Sequence, residues 1–93
     1  MKDVSISEHD NYNISIVPNP TENDFYIIFE NPIEQVISIE LLDILGRTIL
    51  NIFDDIASEG KQIYPLDVKL LSGTYFVKFI IKEKPVVRKL IVK

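Results

Sequence analysis

From Tyr75 to Val92 the chain alternates with a period of two, and this limits its fold more than any other feature. Tyr75, Val77, Phe79 and Ile81 fall on one face, with Phe76, Lys78, Ile80 and Lys82 on the other. Alternating β-branched and aromatic residues specify a strand, because successive side chains of an extended backbone point to opposite sides. Gly73 punctuates the start of this run. Glu83-Lys84-Pro85 interrupts it, since proline cannot donate to a ladder. The pattern then resumes with Val86, Arg88, Leu90 and Val92 against Val87, Lys89 and Ile91. Two strands joined by a short turn form a hairpin. A lone hairpin is marginal in water, so this one must pack on further strands.

The preceding residues supply them. Tyr12, Ile14 and Ile16 mark a first strand, ended by Pro18-Asn19-Pro20, and Phe25, Ile27 and Phe29 mark a second. A turn around Asn31-Pro32 leads to a third, with Ile37, Ile39 and Leu41 inward. Asp43-Ile44-Leu45-Gly46 reads as a hairpin turn: the Asp carboxylate accepts backbone N–H bonds and Gly46 takes the left-handed conformation. Arg47 to Phe53 is then a fourth strand, Asp54 to Gly60 a polar loop, and Lys61 to Leu66 a fifth strand placed at an edge by Pro65. Asp67 to Leu71 has room for one helical turn. With the final hairpin this makes about seven short antiparallel strands with no helical period, which predicts an all-β sandwich. Phe25, Ile27, Phe29, Ile37, Ile39, Leu41, Tyr75, Val77 and Phe79 are the expected core.

Ninety-three residues suffice for one small domain. We divide the chain into residues 1–11, a polar lead-in read as a linker remnant, and residues 12–93, the domain. The start, Met1-Lys2-Asp3, carries no apolar signal segment, and the chain is read as a piece of a longer precursor. With no Cys there is no disulfide and no thiolate nucleophile. The single His9 lies in the lead-in without a partner for acid–base work, so no catalytic residue is assigned. Asp54, Asp55 and Glu59 lack the residue order of a calcium loop and read as solvated acids, so no metal or cofactor is assigned either. The acidic balance, with a pI near 4.8, argues against nucleic acid as a partner. The charge is uneven: from Gly73 onward six basic residues face one acid, net +5, which leaves −9 for the rest of a chain totalling −4. Charge on the outer face of an edge hairpin discourages sheet-to-sheet aggregation and is also able to steer a partner.

Three stretches, in order, carry a resemblance: Pro18-Asn19-Pro20-Thr21 followed by Phe25; Asp43-Ile44-Leu45-Gly46-Arg47; and Leu70-Leu71-Ser72-Gly73-Thr74-Tyr75 with a last strand bearing Lys89 and Lys93. Together they resemble the type A C-terminal sorting domain of proteins exported by the type IX secretion system of Bacteroidetes-type bacteria. The chain has Glu22-Asn23 where the family has Asn-Gly, and Asn is the usual substitute for Gly at positive φ. Leu66-Asp67-Val68 also stands one residue closer to Gly73 than the family's Ile-Asp-Leu-Ser does.

The resemblance implies an immunoglobulin-like sandwich that serves as an address label for a cargo domain fused before it. It implies passage through an outer-membrane translocon to the cell surface or medium, and removal by a sortase-like cysteine protease. No small-molecule substrate is implied. Within the motifs, Pro18, Asn19 and Pro20 are read as shaping a turn, and Phe25, Gly73 and Tyr75 as structural. Asp43 and Gly46 are turn chemistry, and Arg47 beside them is able to reach a partner. Lys78, Lys89 and Lys93 are the contact candidates on the final hairpin, which would be read through these charges or through its exposed edge. The alternative is a fibronectin-like accessory or carbohydrate-binding module of a secreted multidomain enzyme.

Overall fold

The alternating runs become seven strands in a computed structural model that describes residues 11–93. They are β1 (Asn13–Val17), β2 (Phe25–Asn31), β3 (Gln35–Leu42), β4 (Thr48–Ala57), β5 (Gly60–Leu66), β6 (Gly73–Ile81) and β7 (Lys84–Val92). One sheet has the order β1-β2-β5 and the other β4-β3-β6-β7, with every neighbouring pair antiparallel. This is the immunoglobulin-like arrangement, with the fourth strand paired to the third instead of the fifth. The lead-in assigned to residues 1–11 falls, apart from Asn11, outside the described residues.

The core forms where the inward rows of the two sheets meet. Phe25, Ile27 and Phe29 of β2 face Ile37, Ile39 and Leu41 of β3 and Val77, Phe79 and Ile81 of β6, all of them buried. Phe29 and Phe79 meet edge to face across the layers, with ring centroids 5.1 Å apart. At one side of the sandwich, Phe53 of β4 contacts Tyr64 of β5 at 5.3 Å. At the other, the half-buried Arg88 of β7 donates from Nη2 to the Tyr12 carbonyl at 3.0 Å. The buried Asn31 ties the passage between β4 and β5 to the end of β2: its Nδ2 donates to the carbonyls of Ala57 and Ser58 at 3.1 and 2.7 Å. Its Oδ1 accepts from Gln35 Nε2 at 3.0 Å, so the buried amide is satisfied at both ends.

Five local expectations are corrected. Asn23, read as the substitute for Gly at positive φ, does not take a positive φ. The fourth strand does not stop at Phe53 but runs to Ala57, so Asp54 and Asp55 belong to a strand and not to a loop. They are tolerated because β4 is an edge strand, where Asp54 and Asp55 pair in regular register with Ser38 and Ile37 and stay exposed. The final hairpin turns at Lys82-Glu83, not at Glu83-Lys84-Pro85. Lys82 and Glu83 have φ of +54° and +65°, the two successive positive values of a tight two-residue hairpin turn. Pro85 pairs with Ile80 inside β7, one step beyond the pair that closes the turn. Its missing N–H therefore falls on the open side of an edge strand. Residues 67–71 form no helical turn. They must cross between sheets about 10 Å apart within a short connection, which favours extended backbone. Tyr75 is half-buried, because its hydroxyl reaches outward to the Leu71 carbonyl at 2.6 Å.

Candidate functional site: the motif pole

The strand registers determine where the three motif stretches lie. Val17 pairs with Tyr26, Phe25 with Leu66, Leu42 with both Thr48 and Phe76, and Gly73 with Val92. The segments 18–24, 43–47 and 67–72, together with Lys93, therefore gather at one end of the sandwich. The other end holds the β2–β3, β4–β5 and β6–β7 connections, and Asn13 opposite Glu30. The chain thus enters the domain at the pole away from the motifs. At roughly 3.3 Å per strand residue, on the order of 20 Å separates the two poles.

Pro18-Asn19-Pro20-Thr21 does more than turn the chain. After β1 it crosses to the four-stranded sheet and lies along the outer edge of β7, where Thr21 forms an isolated parallel bridge with Val92. The Thr21 N–H donates to the Ile91 carbonyl at 2.9 Å, and the Lys93 N–H donates to the Thr21 carbonyl at 2.8 Å. One step earlier the Asn19 side chain acts as a peptide group. Its Nδ2 donates to the Lys89 carbonyl at 2.8 Å, and its Oδ1 accepts from the Ile91 N–H at 3.0 Å. Both X-Pro bonds of the segment are cis. The buried Thr21 closes the following turn by donating from Oγ1 to the Asp24 carbonyl at 2.7 Å. The edge of β7 is thus occupied from Lys89 to Lys93, which leaves only its Pro85–Val87 half for strand addition.

The second motif is a rigid turn. Asp43 Oδ1 accepts from the N–H groups of Leu45 and Arg47, each at 2.9 Å, and Oδ2 accepts from Arg47 Nε at 2.8 Å. The Gly46 N–H donates to the Asp43 carbonyl at 2.9 Å, and Gly46 has φ of +85° as the sequence requires. The Arg47 N–H foremost, helped by its guanidinium and by the Leu45 N–H, holds the Asp43 carboxyl below its ordinary value. Arg47 remains 74% exposed, so its position is fixed while its terminal nitrogens face water. At the same pole Asp24 and Asp67 lie side by side. A hydrogen bond to Asp67, and then the charge of Asp67, push the Asp24 carboxyl up.

Of the contact candidates, Arg47 and Lys93 lie at this pole, and Lys89 lies just behind it, paired with Phe76 on the outer face of the four-stranded sheet. Lys78 does not join them: it sits mid-sheet, between Glu40 and Val87. Sequence reasoning missed the edge-binding role of Asn19. It also missed the apolar side chains Ile44, Leu45 and Leu71, left exposed at the pole. Two large aliphatic residues in the middle of a tight turn, where polar residues are usual, were a signal available in the sequence.

The fold is a small two-sheet β-sandwich whose distinctive segments are turns gathered at one end. The chain belongs to the secretion system C-terminal sorting domain family, whose model matches residues 15–93. No curated protein matches the chain. Membership makes the chain a sorting signal for type IX secretion: it is carried by a cargo protein, handled by that secretion system, and directed to the cell surface or beyond. The family is not a catalytic one. Nothing in the fold or in the comparison favours the accessory-module alternative.

Proposed function

We propose that the motif pole is the part of this sorting domain that the outer-membrane translocon reads, while the cargo trails from the opposite end. The observation that carries the reading is the convergence of three stretches, spread from residue 18 to residue 75, at the pole remote from Asn13. A label fused to many cargoes works best when the surface that is read points away from the variable part. In this reading the domain spans residues 12–93, and Arg47, Lys89 and Lys93 supply charge at or beside the contact. A sortase-like cysteine protease then cuts on the cargo side, and the domain itself turns over no substrate.

The test is a periplasmic reporter carrying this chain at its C-terminus, expressed in a host with a type IX system. Lys89→Glu with Lys93→Glu changes charge at and beside the motif pole. Lys82→Glu with Lys84→Glu makes the same change at the far turn. Exposed charges contribute on the order of 0–1 kcal/mol to stability, so both pairs should stay folded by circular dichroism. The expected result is reduced export for the first pair and normal export for the second. Equal export of the two folded variants would refute the polar reading.

A further inference from the structure

Ile44, Leu45 and Leu71 are 64%, 73% and 85% exposed, the three most exposed large apolar side chains among the described residues. All three lie at the motif pole, on the adjoining ends of the neighbouring strands β3 and β6. Single exposed aliphatic residues are ordinary, but their concentration at one pole is not. Nor does the fold need them. The Asp43–Arg47 turn is held by the Asp43 carboxylate, the Gly46 backbone and the N–H groups of Leu45 and Arg47. The side chains of Ile44 and Leu45 take no part. Leu71 likewise contributes its carbonyl, fixed by the Tyr75 hydroxyl, while its side chain stands in water. Each apolar group is displayed on backbone that is already ordered, which lowers the entropy lost on docking.

We infer that Ile44, Leu45 and Leu71 form a convex apolar anchor that inserts into an apolar pocket of the receiving protein, with a carboxylate at the rim of that pocket meeting Arg47. This inference rests on the reading that the motif pole is the recognised end, and it names the chemistry of the partner. A protein pocket fits better than an anionic lipid surface, because the acids Glu22, Asp24, Asp43 and Asp67 at the pole outnumber its bases Arg47, Lys69 and Lys93, and the whole chain is net −4. It also fits better than a second copy of the chain, since a two-fold contact through the turn tip would set one Arg47 against the other.

The variant Leu45→Ser with Leu71→Ser, made in the reporter fusion, tests it. Both side chains point into solvent, so the melting temperature should not fall. Export should drop about tenfold or more, as expected when buried anchors of an interface are removed. Leu45→Met with Leu71→Met, which keeps apolar volume, should restore export. Full export of the folded Ser variant overturns the anchor. If Lys89→Glu with Lys93→Glu still lowers export in the same series, only the anchor falls; if neither pair does, the polar reading falls with it. Binding of the wild-type chain to phosphatidylglycerol vesicles, lost in the Ser variant, would overturn the protein pocket in favour of lipid. A concentration-dependent dimer in sedimentation, lost in the same variant, would overturn it in favour of self-association.

Discussion

Asn19 offers the sharpest test of how this domain closes its edge. The side chain makes two bonds to β7, at 2.8 Å to the Lys89 carbonyl and 3.0 Å from the Ile91 N–H. A typical intramolecular hydrogen bond is worth a net 0.5–1.5 kcal/mol or so, and these lie at the surface, so Asn19→Ala should cost about 1–2 kcal/mol. For a domain of this size that lowers the melting temperature by roughly 5–10 °C. Urea denaturation should show a lower midpoint with an unchanged slope, because the native fold is the same. Asn19→Asp separates the two bonds. At neutral pH it keeps the acceptor for Ile91 but turns a carboxylate oxygen towards the Lys89 carbonyl, so it should destabilise at least as much as Ala. Amide exchange gives the local readout: the Ile91 N–H should exchange faster in Asn19→Ala, since its acceptor is Asn19 Oδ1. An Ile91 amide as protected as in the wild type, or a neutral Asn19→Asp, would refute the edge-lock account and leave the segment as a simple turn.

Other expectations follow from the same geometry. Phe79→Ala removes a fully buried ring packed on Phe29 and should cost about 3–5 kcal/mol in equilibrium unfolding. Gly46→Val places a β-branched residue at φ +85°, where nothing lies within 4 Å of the new Cβ, so the cost is purely one of backbone, about 1–2 kcal/mol; an unchanged melting temperature would contradict the turn assignment. Asp43, held below its ordinary value of 3.8, stabilises the fold at neutral pH, and its contribution should be lost as pH falls below that value. Asp43→Asn should therefore lower the melting temperature at pH 7 and flatten its acid dependence. Asp24 is the opposite case: its carboxyl is raised above 3.8 by Asp67, so ionising it on the way to neutral pH destabilises the fold. Asp24→Asn should raise the melting temperature at pH 7 and change nothing well below pH 3.8.

The number of strands, the faces they bury and the family are all legible in the residue pattern. Period-two alternation fixes which side of β2, β3 and β6 is buried, because a one-residue slip would turn every apolar side chain to water. Asp43 and Gly46 announced their turn, since a short carboxylate and a residue free to take positive φ are a local chemical requirement. The exceptions have a common physical cause. Edge strands accept residues that a central strand would reject, so the acids of β4 and Pro85 of β7 look like breaks in the sequence although they lie within strands. The remaining features depend on contacts between residues far apart in the chain. That Asn19 serves as a peptide surrogate depends on a strand 70 residues away in the chain. Arg88 alternates inward with Val86 and Leu90, and one of its donors is met by the Tyr12 carbonyl, 76 residues away in the chain and across the sandwich. The motif pole itself is a product of connectivity: antiparallel pairing returns residues 18, 43 and 72 to the same end, and no local pattern in the sequence records that they meet.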